Sequence, residues 1–88
     1  MIRLLIFDDN PILLDGLRLI LKESDTIFLA GSYPSAEHAV HLIRNDKPDV
    51  VLMDIQMPGI SGIEAVRKIK ITFPELPILM QTVFEDTE

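Results

Sequence analysis

The sequence predicts an α/β fold, a parallel sheet wound with helices on both faces. Three observations carry that prediction. Four short apolar runs have the character of buried strands, the segments between them show helical spacing with recognisable caps, and each connection is long enough to hold a crossover helix. No internal repeat, linker or low-complexity stretch interrupts the alternation.

The first run, residues 3–7, ends in two carboxylates, Asp8 and Asp9. Asn10-Pro11 then starts a helix, since the Asn side chain can accept from the first free N–H groups and Pro suits the first helical position. Asp8-Asp9-Asn10 can be read as a capping cluster favoured by the helix dipole, which explains Asn10 well and two adjacent acids poorly. The helix runs from residue 11 to about 23, with Asp15, Arg18 and Lys22 on one narrow stripe and Ile12, Leu13, Leu14, Leu17, Leu19, Ile20 and Leu21 over most of the rest. A helix this apolar wants neighbours on more than one side.

Residues 26–32 read as the second strand, with Ile27 and Leu29 on one face and Phe28 and Ala30 on the other. After the turn at Tyr33-Pro34-Ser35, Ser35 is placed to cap a helix running to about residue 45, whose Ala36, Ala39, Val40 and Ile43 share one face. His38 and His41 lie off that face and read as structural or solvated, having no ligand partner at metal spacing. The third strand is Val50-Val51-Leu52-Met53, a β-branched run buried on both faces that ends in Asp54 and the Pro58-Gly59 turn. Ser61 and Glu64 form the pattern of a capping box, opening a helix with Ile63, Val66, Ile69 and Phe73 inward that stops before Pro74. Residues 77–82 are the fourth strand, and Val83-Phe84-Glu85-Asp86 begins a loop towards a further helix.

Composition narrows the function. At 88 residues the chain is one small domain with a thin core, since chains of this size bury only about 60–65% of their unfolded surface. With 48% hydrophobic and 25% charged residues it is globular in composition. A net charge of −6 argues against nucleic acid or an anionic membrane as a partner of this segment. The absence of cysteine removes disulfides, thiolate metal sites and thiol catalysis. The apolar N-terminus meets Asp8 too soon for a signal-peptide core or a membrane span, so a mature cytoplasmic protein is expected.

Asp54 alone has two readings, a residue opening a loop and an acid at the carboxyl end of a parallel strand, where α/β sheets gather their chemistry. If strands one, three and four are neighbours, Asp8, Asp9, Asp54 and Thr82 converge. Carboxylates so placed repel and raise each other's proton affinity unless a cation sits among them. Oxygen-only donors select a hard divalent ion such as Mg²⁺, which keeps positions open for another ligand. A phosphoryl group suits them, with Thr82 donating to one oxygen and a carboxylate attacking phosphorus in line.

These motifs, Asp8-Asp9, Met53-Asp54-Ile55-Gln56-Met57-Pro58 with Gly62, and Thr82 after an apolar strand, resemble the receiver domain of two-component response regulators over the whole chain. The resemblance implies a flavodoxin-like, doubly wound sheet in the order 2-1-3-4. It implies that Asp54 accepts phosphate from a sensor histidine kinase and that Thr82 contacts the phosphoryl oxygens. Mg²⁺ is expected on Asp9, Asp54 and the Gln56 backbone carbonyl, with Asp8 acting through water. Receiver domains continue into a fourth helix, a fifth strand ending in a lysine, and a fifth helix, so residues 1–88 are expected to be the incomplete, N-terminal part of one.

Four expectations follow from that departure and from the motif wording. The flank of the first helix would be bare, and the fourth strand an unpaired edge, which favours a homodimer or a segment exchanged between copies. Phe84, beside the phosphoryl group, would slow its hydrolysis, or else serve only as a loop anchor. The wording around Thr82 resembles regulators with a C-terminal helix-turn-helix domain, so DNA is expected to be reached through an output domain and not by this segment. Two other classes compete: a pseudo-receiver used for protein contacts, and an Mg²⁺-dependent phosphohydrolase, which usually has a second acid where Gln56 stands.

Overall fold

Strand and helix alternate without exception along the described part of the chain, residues 1–81 of the computed structural model. The order is β1 (Ile2–Phe7), α1 (Pro11–Lys22), β2 (Ile27–Tyr33), α2 (Ala39–Asp46), β3 (Val50–Asp54), α3 (Gly62–Thr72) and β4 (Ile78–Gln81). The strands form one parallel sheet in the order β2-β1-β3-β4, the expected flavodoxin-like winding. β1 and β3, the two central strands, are the two that end in acids. Their register pairs Phe7 with Met53, so one further residue brings Asp8 level with Asp54.

The caps explain where two helices begin. Asn10 Oδ1 accepts from the Ile12 and Leu13 N–H groups at 3.0 and 3.2 Å, with Pro11 following. Ser61 Oγ accepts from the Glu64 N–H at 3.2 Å and so provides the serine half of the predicted box. The second helix differs from expectation. Ser35 Oγ accepts from the Glu37 N–H at 3.2 Å, closing a local turn and leaving α2 to start at Ala39, behind an His38 that makes no capping bond. Ala36 still joins the same buried cluster as Ala39 and Ile43, but from the turn before the helix.

At its other end α2 stops on Lys47, whose left-handed φ of 50° lets its N–H return to the Ile43 carbonyl. The Arg3 guanidinium donates to the freed carbonyls of Asp46 and Lys47, tying the base of β1 to the helix end. The α3 face also departs from expectation at one position. Gly62, Ala65 and Ile69 are buried, with Val66 and Phe73 partly so, whereas Ile63 is 52% exposed. Gly62 points inward because it lies against the end of β3, and Ile63, one residue round the helix, is turned to solvent.

Leu5, Phe7, Val51 and Met53 from one face of the sheet pack with Ala39 and Ile43 of α2 and Ala65 and Ile69 of α3. Ile6 and Leu14 are buried outside that cluster, on the opposite face under α1. Helices therefore cover both faces, two on one and one on the other. Ile12, Leu19 and Ile20 of α1 are 70–82% exposed.

Candidate functional site

Local structure prepares each acid separately. Asp8 follows the last residue of β1, its N–H donating to the Tyr33 carbonyl at 3.0 Å and its carboxylate accepting from the Asn10 N–H at 2.9 Å. Asn10 thus holds Asp8 with its backbone while its side chain caps α1. Asp8 is buried, Asp9 beside it is exposed, and Asp54 is intermediate. Asp54 Oδ1 accepts from the Gln56 N–H at 3.4 Å, which turns the chain away from the sheet.

Together Asp8, Asp9 and Asp54 present carboxylate oxygens within 4.8 Å of one another. They line a cleft of about 730 Å³ that also takes in Asn10, Gln56 and Ser61. Burial pushes the Asp54 carboxyl above its ordinary range, the Asp8 charge and to a smaller extent the Asp9 charge add to this, and the Gln56 and Ile55 N–H groups oppose it. Three acids concentrated this way favour bound positive charge. The donor set fits a hard divalent cation, since it offers oxygen without sulfur or imidazole. His38 and His41 lie on the α2 side, away from this cleft.

Gly62 is part of the site's construction. A Cβ there would overlap the Asp54 carbonyl oxygen and crowd Ile55, while the Gly62 N–H donates to the Ile55 carbonyl at 2.8 Å. The start of α3 is thereby pressed against the end of β3, directly beneath Asp54. The sequence marked Gly62 as a motif residue; the close backbone approach is the physical requirement behind it. Gln56 borders the cleft. Thr82 and Phe84 lie outside the described residues, so their placement beside Asp54 belongs with the proposals.

Sequence reasoning had not placed Asn10 or Ser61 in the cleft. Both were visible only as helix caps, and the signal that could have found them is position: each caps a helix that starts just after an acid-bearing strand end.

Residues 4–88 match the response regulator receiver domain family. The chain belongs to that family. It is 40% identical over 86 residues to the response regulator GacA of Pseudomonas viridiflava, covering 98% of this chain and 40% of that protein. It is 42% identical over 83 residues to the response regulator UvrY of Escherichia coli, covering 94% and 38%. The chain therefore spans about two-fifths of the length of these relatives. Among solved structures, a LuxR-family two-component response regulator from Aurantimonas superposes with a TM-score of 0.86 at 32% identity, over 97% of this chain and 61% of that one. RcsB from Salmonella enterica, bound to promoter rprA in the presence of the phosphomimetic BeF3⁻, superposes with a TM-score of 0.85 at 27% identity, over 98% and 72%.

The relatives it matches include proteins named as response regulators and as transcriptional regulatory proteins. Among the described residues no helix is long and apolar enough to cross a membrane.

Proposed function

We propose that this receiver domain is a phosphorylation-dependent switch in which Asp54 accepts a phosphoryl group from a sensor histidine kinase. The observation that carries the reading is the convergence of Asp8, Asp9 and Asp54 at the carboxyl ends of the two central strands. In the transfer, an Asp54 carboxylate oxygen forms a bond to phosphorus as the P–N bond to the kinase imidazole breaks. The departing imidazole takes up a proton. The resulting acyl phosphate is later hydrolysed by water, which returns Asp54 to its carboxylate.

Asp9, Asp54 and the Gln56 backbone carbonyl would hold Mg²⁺ directly, and Asp8 would do so through water. Mg²⁺ bound there supplies charge neutralisation for the carboxylates and the phosphoryl oxygens. Thr82 is assigned to donate its hydroxyl to one of those oxygens. Asn10 keeps Asp8 in place, and the Gln56 N–H orients the Asp54 carboxylate. The buried position of Asp8 makes it a fixed charge beneath the site, whereas the more exposed Asp54 remains open to a donor.

Phosphorylation would bias a two-state surface that a partner reads. In a longer regulator built from a receiver such as this one, that reader would be an output domain acting on DNA. The likeness to UvrY and to RcsB bound to promoter rprA supports this reading. The cellular setting proposed is the cytoplasm.

Incubation with acetyl phosphate and Mg²⁺ tests the proposal. A switch incorporates phosphoryl and retains it, a phosphohydrolase turns the donor over without retention, and a pseudo-receiver does neither. Label that persists and disappears in Asp54→Asn is the expected result; turnover without retention, or no incorporation, would reject the assignment.

A further inference from the structure

A second groove lies between α2 and α3, about 290 Å³ in volume and sharing no lining residue with the acidic cleft. Its floor is made of small buried side chains, Ala36, Ala39 and Ala65. Above that floor the rim is basic. His38, His41 and Arg44 follow one another at three-residue spacing along the edge of α2, and Lys68 stands opposite them on α3.

In a chain of net charge −6, this gathers both histidines with two of the eight lysines and arginines around one depression. Among the described residues none of the four rim side chains makes a hydrogen bond or ion pair. Arg44 instead holds its guanidinium over the Phe73 ring, 5.9 Å from the centroid, where it forms a wall of the groove. The acid of the rim, Glu37, lies against Gly59 of the loop between β3 and α3, at one end of the groove.

We propose that this groove docks an acidic segment of a partner protein, one that alternates carboxylate and aliphatic side chains. The alanine floor leaves room for an aliphatic side chain and offers it an apolar surface. The unpaired Arg44 and Lys68 charges and the two imidazoles supply donors for carboxylates on either side. Charge complementarity selects the occupant. Nucleic acid is disfavoured because the chain is acidic as a whole and the groove presents no aromatic face at its floor for a base to stack on. A metal is not indicated, since His38 and His41 form no ligand cluster with a neighbouring acid among the described residues.

The test is fluorescence anisotropy of the purified protein with a short fluorescein-labelled peptide of alternating Glu and Leu. Its Gln/Leu counterpart and a labelled single-stranded oligonucleotide are run in parallel. The Glu/Leu peptide is expected to bind, and the Arg44→Glu/Lys68→Glu pair to weaken binding about tenfold. Lys22→Glu, on α1, is expected to change it less than about twofold. Circular dichroism confirms that the variants fold; if the double variant does not, Lys68→Gln decides alone, with an expected loss of about threefold. No binding, equal binding of the Gln/Leu peptide, an unchanged affinity in the rim variants, or tighter binding of the oligonucleotide would each overturn the proposal.

Discussion

The two faces of the sheet are built from the same kind of strand and end in different states. On the α2–α3 face, Leu5, Phe7, Val51 and Met53 are sealed under two helices. On the α1 face, cover declines across the sheet: Ile6 is buried, its neighbour Leu52 is partly exposed, and Leu79, paired with Leu52 on β4, is 60% exposed. The outer side of α1 is equally open. Stability in this chain should therefore be concentrated on one face, whereas Asp8 and Asp54, two residues beyond Ile6 and Leu52, stand at the loop end of the more open one.

The sharpest challenge to this contrast is Phe7→Ala. Phe7 is fully buried on the closed face and packs against Tyr33 with ring centroids 5.8 Å apart. Its truncation should cost about 3–5 kcal/mol, against less than about 1 kcal/mol for Leu79→Ala on the open face. Urea unfolding of the two variants checks this, and equal losses would break the comparison.

Gly62→Ala comes next. The added methyl must displace the α3 start from the Asp54 carbonyl, so a loss of about 2 kcal/mol is expected. Slower phosphorylation of Asp54 should accompany it, a coupling that Leu79→Ala should not show.

A smaller effect is expected at the acids themselves. The raised Asp54 value means that the folded state holds this proton more tightly than the unfolded chain does. The group's contribution to stability therefore falls as pH rises from the ordinary carboxylate range through that raised value, and the penalty is complete above it. Asp54→Asn removes the penalty. Without divalent cation it should melt higher than the parent at neutral pH, and the difference should shrink as pH falls through the raised value. Thermal melts across that range, repeated with Mg²⁺, check both the sign and the closing of the gap by the cation.

The smallest stability change is expected for Leu19→Ser and Ile20→Ser on the bare side of α1, within about 0.5 kcal/mol. Their effect should appear instead in association. If the open flank drives self-association, light scattering should show less oligomer in these variants than in the parent; a parent that stays monomeric at high concentration would contradict it.

Much of this arrangement was readable from residue pattern. Apolar runs such as Val50-Val51-Leu52-Met53 identify central strands because burial on both faces leaves no polar alternation, and strong caps such as Asn10-Pro11 fix a helix start locally. The start of α2 was not readable, because Ser35 has two backbone uses and only the surrounding turn decides between them. Ile63 was misplaced for a related reason. Helical spacing fits it to the inner face as well as it fits Gly62, until the contact between Gly62 and β3 is known. The acids were legible as a set, yet their mutual approach depends on the β1–β3 register, which is a tertiary property. The α2–α3 groove was invisible for the same reason, since its rim is assembled from two helices that are separate in sequence.

Asp54, supported by Asp8 and Asp9, is the proposed phosphoacceptor. This role is tested most directly by locating the phosphoryl group, through peptide mass mapping after reaction with acetyl phosphate in the presence and absence of Mg²⁺. The expected result is modification at Asp54 that requires Mg²⁺, slows strongly in Asp9→Asn and vanishes in Asp54→Asn. A phosphoryl group on another residue, or incorporation at Asp54 that is indifferent to both Mg²⁺ and Asp9, would contradict it.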